Sequence, residues 1–306
     1  MTNEQYLKNL TPPNGTLDVV LDTDAYNEID DQFALAYMLR NSDRLQVKGI
    51  CAAPFFNDRS ESPADGMEKS YEEIFKILRL AGREELSPLV YRGSDSYLKN
   101  EQTPVSSPAA DFLVTLSKDY TPEHPLYVVA IGAITNVASA LLLDPTLKER
   151  CVVVWLGGNA VHIPNGCAEF NMKQDIAAAR VVMGCGVPFV QLPCSGVVDK
   201  FHTSAPELTA WFGGKNALCD YLVQNTCEYM EQYAKGRPWS KVIWDVVAVA
   251  WLVSRDRNLM WGKLIPAPIP EYDMQYAENA TRHLIHYVYS LNRDALFRDL
   301  LEKLTK

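Results

Sequence analysis

Residues 17–39 read LDVVLDTDAYNEIDDQFALAYML. The apolar run 17–21 leads directly into Asp22, Asp24, Glu28, Asp30 and Asp31. A short apolar run with an amphipathic stretch close behind it reads as a buried strand feeding a helix. Asp30 and Asp31 suit the positive end of that helix as caps. Caps account for two acids and leave three crowded against them. A hard divalent cation such as Ca²⁺, which takes about six to eight oxygens, relieves that repulsion. Asp24 on the loop and Asp31 on the helix can hold one from two sides.

The same alternation continues along the chain. Apolar runs at 45–52, 88–92, 126–131, 151–156 and 188–193 read as further strands, nearly unbroken as in parallel sheets covered on both faces. Amphipathic stretches at 30–41, 66–82, 107–119, 134–143 and 173–184 read as helices between them. The order predicts an α/β fold, a doubly wound, mostly parallel sheet flanked by helices. From 205 to 257 the pattern turns helical and aromatic, giving a helical region in the C-terminal third. Residues 283–290 read as a strand and 292–304 as a closing helix. No repeat or linker interrupts the 306 residues, so a single domain over 1–306 is expected.

The hydrophobic share of 47% is ample for one large core. A net charge of −9 argues against nucleic acid and anionic membranes as partners. No secretory signal or transmembrane run is read, and the seven cysteines lack metal-ligand spacing. Buried reduced thiols in a cytoplasmic protein are the expectation.

Three later stretches bear on the acids. VVAIGAITNVASALL (128–142) is a strand, a glycine turn and a helix, and the turn leaves the carbonyl of Ile131 free to face a ligand. LGGNAVHIPNGCAEFNMKQD (156–175) gathers Asn159, His162, Asn165, Glu169 and Asn171 after a strand, a set suited to a polyhydroxylated ligand such as a sugar. WSKVIWDVVAVAWLV (239–253) puts Asp245 at the head of an apolar helix, either as a charge favoured by the helix dipole or as the far side of a cation site.

A strand ending DTD…DD, a GxxTN turn, an AEFN segment and a late Asp on an apolar helix together resemble the inosine–uridine-preferring nucleoside hydrolases, from about residue 17 to 256. The resemblance implies one Ca²⁺ at the base of a pocket, with Asp24, Asp31, Asp245 and the Ile131 carbonyl as ligands. It makes Asp24 the general base. It gives Asp30 the ribose 2′-hydroxyl, with Asn57 assisting, and Asn165, Glu169 and Asn171 the 3′- and 5′-hydroxyls. Asp22 is structural in that pattern. A nucleoside substrate and a homodimer or homotetramer are also implied.

Two departures stand out. Five residues, AYNEI, separate DTD from DD where the family has three, which lets Asn27 or Glu28 reach the pocket. Trp244 stands where many members carry a leaving-group histidine, and an indole stacks on a purine instead of donating a proton. His162 is a candidate proton donor on the leaving-group side, without a family counterpart. Residues 228–241, with Tyr229 and Tyr233 at i, i+4 spacing, offer an aromatic lid. Purine ribosides are the expected substrates. Two other readings stay open: a ribosyl-ligand binder without turnover, and a haloacid-dehalogenase-type phosphatase. The latter shares the DxD strand end but calls for Thr or Val where Tyr26 stands.

Overall fold

The computed structural model describes residues 1–306. The opening run forms strand β1, Leu17–Thr23. It lies within an eight-stranded sheet with β2 Leu45–Ala52, β3 Val90–Arg92, β4 Leu126–Ala130, β5 Cys151–Leu156, β6 Phe189–Leu192, β7 Met260–Pro266 and β8 Leu284–Leu291. The spatial order is β3-β2-β1-β4-β5-β6-β8-β7, and every pairing is parallel except the antiparallel edge pair β8–β7. Alternating side chains enter opposite faces: Val19 and Leu21 join one apolar core, Val20 and Cys51 the other.

The chain runs outward from β1 through β2 to β3, then returns to β4 on the other side of β1. That reversal makes the β1–β4 boundary the switch point of the sheet, where a crevice opens at the carboxyl ends of the strands. Asp24 follows β1 and Ile131 follows β4, and Ile131 N–H donates to the Asp22 carbonyl at 2.8 Å.

Helix Val246–Val253 is buried on every side and packs against helix Asp30–Arg40. A helix apolar all round belongs inside the core. Fully burying each valine or leucine contributes roughly 1.5–3 kcal/mol. Asp245 sits at the N-cap position of the first helix, while Asp30 and Asp31 occupy the first turn of the second.

Several boundaries differ from the sequence reading. The helix expected at 66–82 begins at Pro63, because Ser62 Oγ accepts from Asp65 N and caps it. The segment 173–184 is two helices, Phe170–Gln174 and Ile176–Gly184, divided at Asp175, whose carboxylate caps the second and also binds Thr135 Oγ1. Strand β7 was not anticipated. It is a sheet edge with Trp261 and Leu264 exposed, so it lacks the apolar run of a two-sided strand. The region 205–257 holds helices Ala205–Phe212, Ala217–Ala234 and Val246–Val253, with a short ladder pairing His202–Thr203 with Lys241–Val242.

Candidate active site

Four buried carboxyl groups lie near one another at the switch point, and two of them, Asp30 and Asp245, line a cavity of about 320 Å³. Asp24, Asp30, Asp31 and Asp245 are each 3% exposed or less. One carboxylate oxygen from each of Asp30, Asp31 and Asp245 lies within 4.8 Å of the others. Asp24, expected as a ligand, is not one of these three, but it lies near enough to repel Asp30, Asp31 and Asp245 electrostatically. Both of its carboxylate oxygens are buried with no hydrogen-bond partner. Gly132 allows this close fit, since a Cβ there would stand 2.9 Å from Asp24 Cγ.

Neither Asp30 nor Asp31 caps its helix as the sequence suggested. Ile29 holds the N-cap position, without a side-chain bond. Asp30 Oδ2 instead accepts from Trp244 N at 3.0 Å, and Asp31 Oδ1 accepts from Thr23 Oγ1 at 2.5 Å. Asp22 is tied by Asn136 Nδ2 at 2.7 Å. It lies outside the cavity lining, in a framework place.

Burial raises all four acids, and neighbouring carboxylates push further. Asp31 is pushed up to about 8 by burial and by Asp30. Asp30 reaches about 6, raised by burial and held back by the Lys241 ammonium. Asp24 and Asp245 lie well above the ordinary carboxylate range for the same reasons. The donors here are oxygens only, with no thiol or imidazole in the cluster. An all-oxygen set with two orphaned oxygens on Asp24 fits a hard dication.

Asp30, Ile131, Glu169, Asn171, Trp244 and Asp245 line the cavity. The Ile131 carbonyl is not entirely free: Asn171 Nδ2 donates to it at 3.1 Å and to the Leu156 carbonyl at 3.0 Å. One lone pair on Ile131 remains. Glu169 accepts from the backbone of Gly158, Asn171 and Met172, so its carboxylate is fixed at the cavity wall.

The remaining expected residues are placed differently. Asn57 stands behind the wall, its Nδ2 donating to Asn27 Oδ1 at 2.6 Å. Asn165 is exposed and outside the lining, turned outward by a left-handed backbone and bonded to Gln275. His162 is also exposed and absent from the lining. Tyr229 and Tyr233 pack on one another at 4.9 Å on helix Ala217–Ala234.

The structure adds lining residues that the sequence did not single out as site residues, among them Cys194 and Ser195. They follow β6, and only the sheet order reveals that its end adjoins the site. Asn27 and Glu28, from the long AYNEI loop, also reach the cavity. No helix is long and apolar enough to cross a membrane.

Known proteins share the sequence family and the fold. The profile described as inosine-uridine preferring nucleoside hydrolase matches residues 19–286. The pyrimidine-specific ribonucleoside hydrolase RihA of Salmonella paratyphi A is 24% identical over 262 residues, 78% of this chain and 79% of that one. A plant nucleoside hydrolase, PpNRh1, superposes with a TM-score of 0.74 at 19% identity, over 94% of this chain and 99% of the other. A purine-preferring ribonucleoside hydrolase from Gardnerella vaginalis gives 0.72 at 19% identity, over 94% and 98%. At such identities the superpositions speak for the fold, and the profile match, which spans most of the chain, speaks for the family. The chain belongs to the inosine-uridine preferring nucleoside hydrolases, a family of N-glycosidases.

Proposed function

We propose that this protein hydrolyses the N-glycosidic bond of ribonucleosides, purine ribosides by preference, with Ca²⁺ held by Asp24, Asp31, Asp245 and the Ile131 carbonyl. The observation that carries this reading is the pair of buried, unbonded oxygens on Asp24, repelled by Asp30, which itself lines a sugar-sized polar cavity. Bound there, the cation supplies charge neutralisation and makes a nearby water more acidic.

The chain's own groups do the rest. Asp24 takes the proton of the attacking water at its carboxylate. Asp30 binds the 2′-hydroxyl, with Asn57 holding the loop behind it. Asn171 and Glu169 hold the 3′ and 5′ side, and Asn165 joins them only by moving inward. The surrounding carboxylates favour the positive charge that grows on the sugar as the base departs. Fixing the ribose in register lowers the barrier further. Trp244 offers a face for a purine ring. The relatives' names point both ways on the base, and this indole favours purines.

Ribose release from inosine, adenosine, uridine and cytidine, with calcium and with chelator, tests the reading. Calcium-dependent release supports it, and no release from any riboside contradicts it. Binding without turnover is the second reading, favoured by the absence of a histidine at position 244; tight nucleoside binding with no hydrolysis would establish it. The phosphatase reading is set aside, because Asp22, its would-be nucleophile, is buried and bonded to Asn136. We further propose one domain, a homodimer or homotetramer, and a cytoplasmic setting in keeping with seven free cysteines. One cooperative melting transition, light scattering and cell fractionation test these in turn.

A further inference from the structure

The AYNEI loop is held unusually firmly for a connection. Asn27 Oδ1 accepts from Asn57. Arg59 donates to the Glu28 carbonyl at 3.1 Å and lies over the Tyr26 ring at 4.3 Å, with Tyr229 beyond at 5.5 Å. The Glu28 carboxylate pairs with the ammonium of Lys241, from the far end of the chain. Lys241 is nearly buried, its side chain 10% exposed, while the Glu28 side chain is 34% exposed and lines the cavity. Only Oε2 of Glu28 has a partner; Oε1 has none. Trp244, three residues beyond Lys241, lines the same cavity.

A sugar seated on Asp30, Glu169 and Asn171 would leave its base to the rest of the lining, which includes Glu28 and Trp244. We infer that Glu28, fixed by Lys241, is a specificity-determining residue whose free carboxylate oxygen accepts an N–H from the edge of the base. This inference rests on the nucleoside hydrolase reading. Adenine offers an exocyclic amino group, and hypoxanthine a ring N–H. Unsubstituted purine offers neither. A fixed anionic acceptor distinguishes these better than it distinguishes ring sizes, because a lost charge-assisted bond is felt only by bases that make it. Lys241 acts through Glu28 as a positioning residue.

The test compares kcat/KM for adenosine, inosine and unsubstituted purine riboside in the calcium-loaded protein. Glu28→Met should lower the first two about tenfold or more relative to the third, as expected for a hydrogen bond to a charged group. Glu28→Gln keeps a neutral acceptor and should recover part of the ratio. Because Glu28→Met leaves a buried ammonium unpaired, the double variant Glu28→Met/Lys241→Met serves as a charge-balanced check with the same expected ratio. Equal losses on all three ribosides would overturn the inference while leaving the hydrolase reading intact. If the wild-type chain hydrolyses neither these nor uridine and cytidine, the hydrolase reading fails, and the same ratio taken from dissociation constants decides the Glu28 contact.

Discussion

Gly132 leaves no room for a side chain beside Asp24: a Cβ would stand 3.0 Å from Asp24 Oδ1 and 3.1 Å from the Ala53 methyl. The turn after β4 thus places the carboxylate as firmly as the loop that bears it. Gly132→Ala should lower calcium affinity about tenfold or more, the usual cost of disturbing the support of a ligand. It should also destabilise the protein by about 1–3 kcal/mol through overpacking. Calorimetric titration and thermal melting measure both, and unchanged affinity would argue that Asp24 does not touch the cation.

Asp24→Asn separates charge from shape. With the cation absent, it should raise the melting temperature at alkaline pH, since a neutral amide replaces a buried carboxyl group whose ionised form its acidic neighbours repel. Catalysis should fall by about a hundredfold or more, the usual contribution of a general base. Chelated melting curves beside single-turnover rates read the two effects. A variant that is fully active would remove Asp24 from proton transfer.

The raised acids set a pH dependence. Asp31 and Asp22 are lifted from a usual 3.8 to about 8 and about 7. The folded state therefore binds protons that the unfolded chain has already released. Stability from this source is present at low pH and drains as pH rises toward 8. The half-buried His283 and His286 work the other way, but only toward their usual 6.5 and below. Between about pH 7 and 8.5, chelated protein should lose melting temperature with rising pH, and saturating calcium should flatten the slope. Parallel slopes with and without calcium would separate the acids from the cation.

Trp244→Ala should reduce kcat/KM for purine ribosides about tenfold and pyrimidine ribosides less, in line with roughly 1–3 kcal/mol per stacked base. Equal losses would mean that the indole only packs against the core beside it.

Asn171→Ala removes the shared donor of the Ile131 and Leu156 carbonyls. Leaving two buried acceptors unpaired costs about 1–3 kcal/mol each. Melting should register the loss even without substrate, and ribose affinity should fall with it. A variant as stable as the parent would show that water replaces the amide.

The parts of this fold that could be read from sequence are those fixed locally. Two-sided burial writes β1, β2, β4, β5 and β6 as apolar runs, and the structure moves their ends by no more than a residue or so. Strand β7 could not be read, because it is a sheet edge whose residues face solvent and so carries no apolar run. Asp30, Asp31 and Asp245 were legible as acids at element ends. Their convergence depends on helix Val246–Val253 packing against helix Asp30–Arg40, which no local pattern encodes. Lys241 was hidden for the same reason: nothing near it in the chain foretells Glu28 as its partner. Asn165 matched a motif, but the turn it occupies faces outward and Gln275 holds it there.

The most direct measurement is an anomalous difference map from crystals grown with calcium. A single peak touched by Asp24, Asp31, Asp245 and the Ile131 carbonyl is expected. A saturated crystal with no peak among those four, or with the ion bound elsewhere, would contradict it.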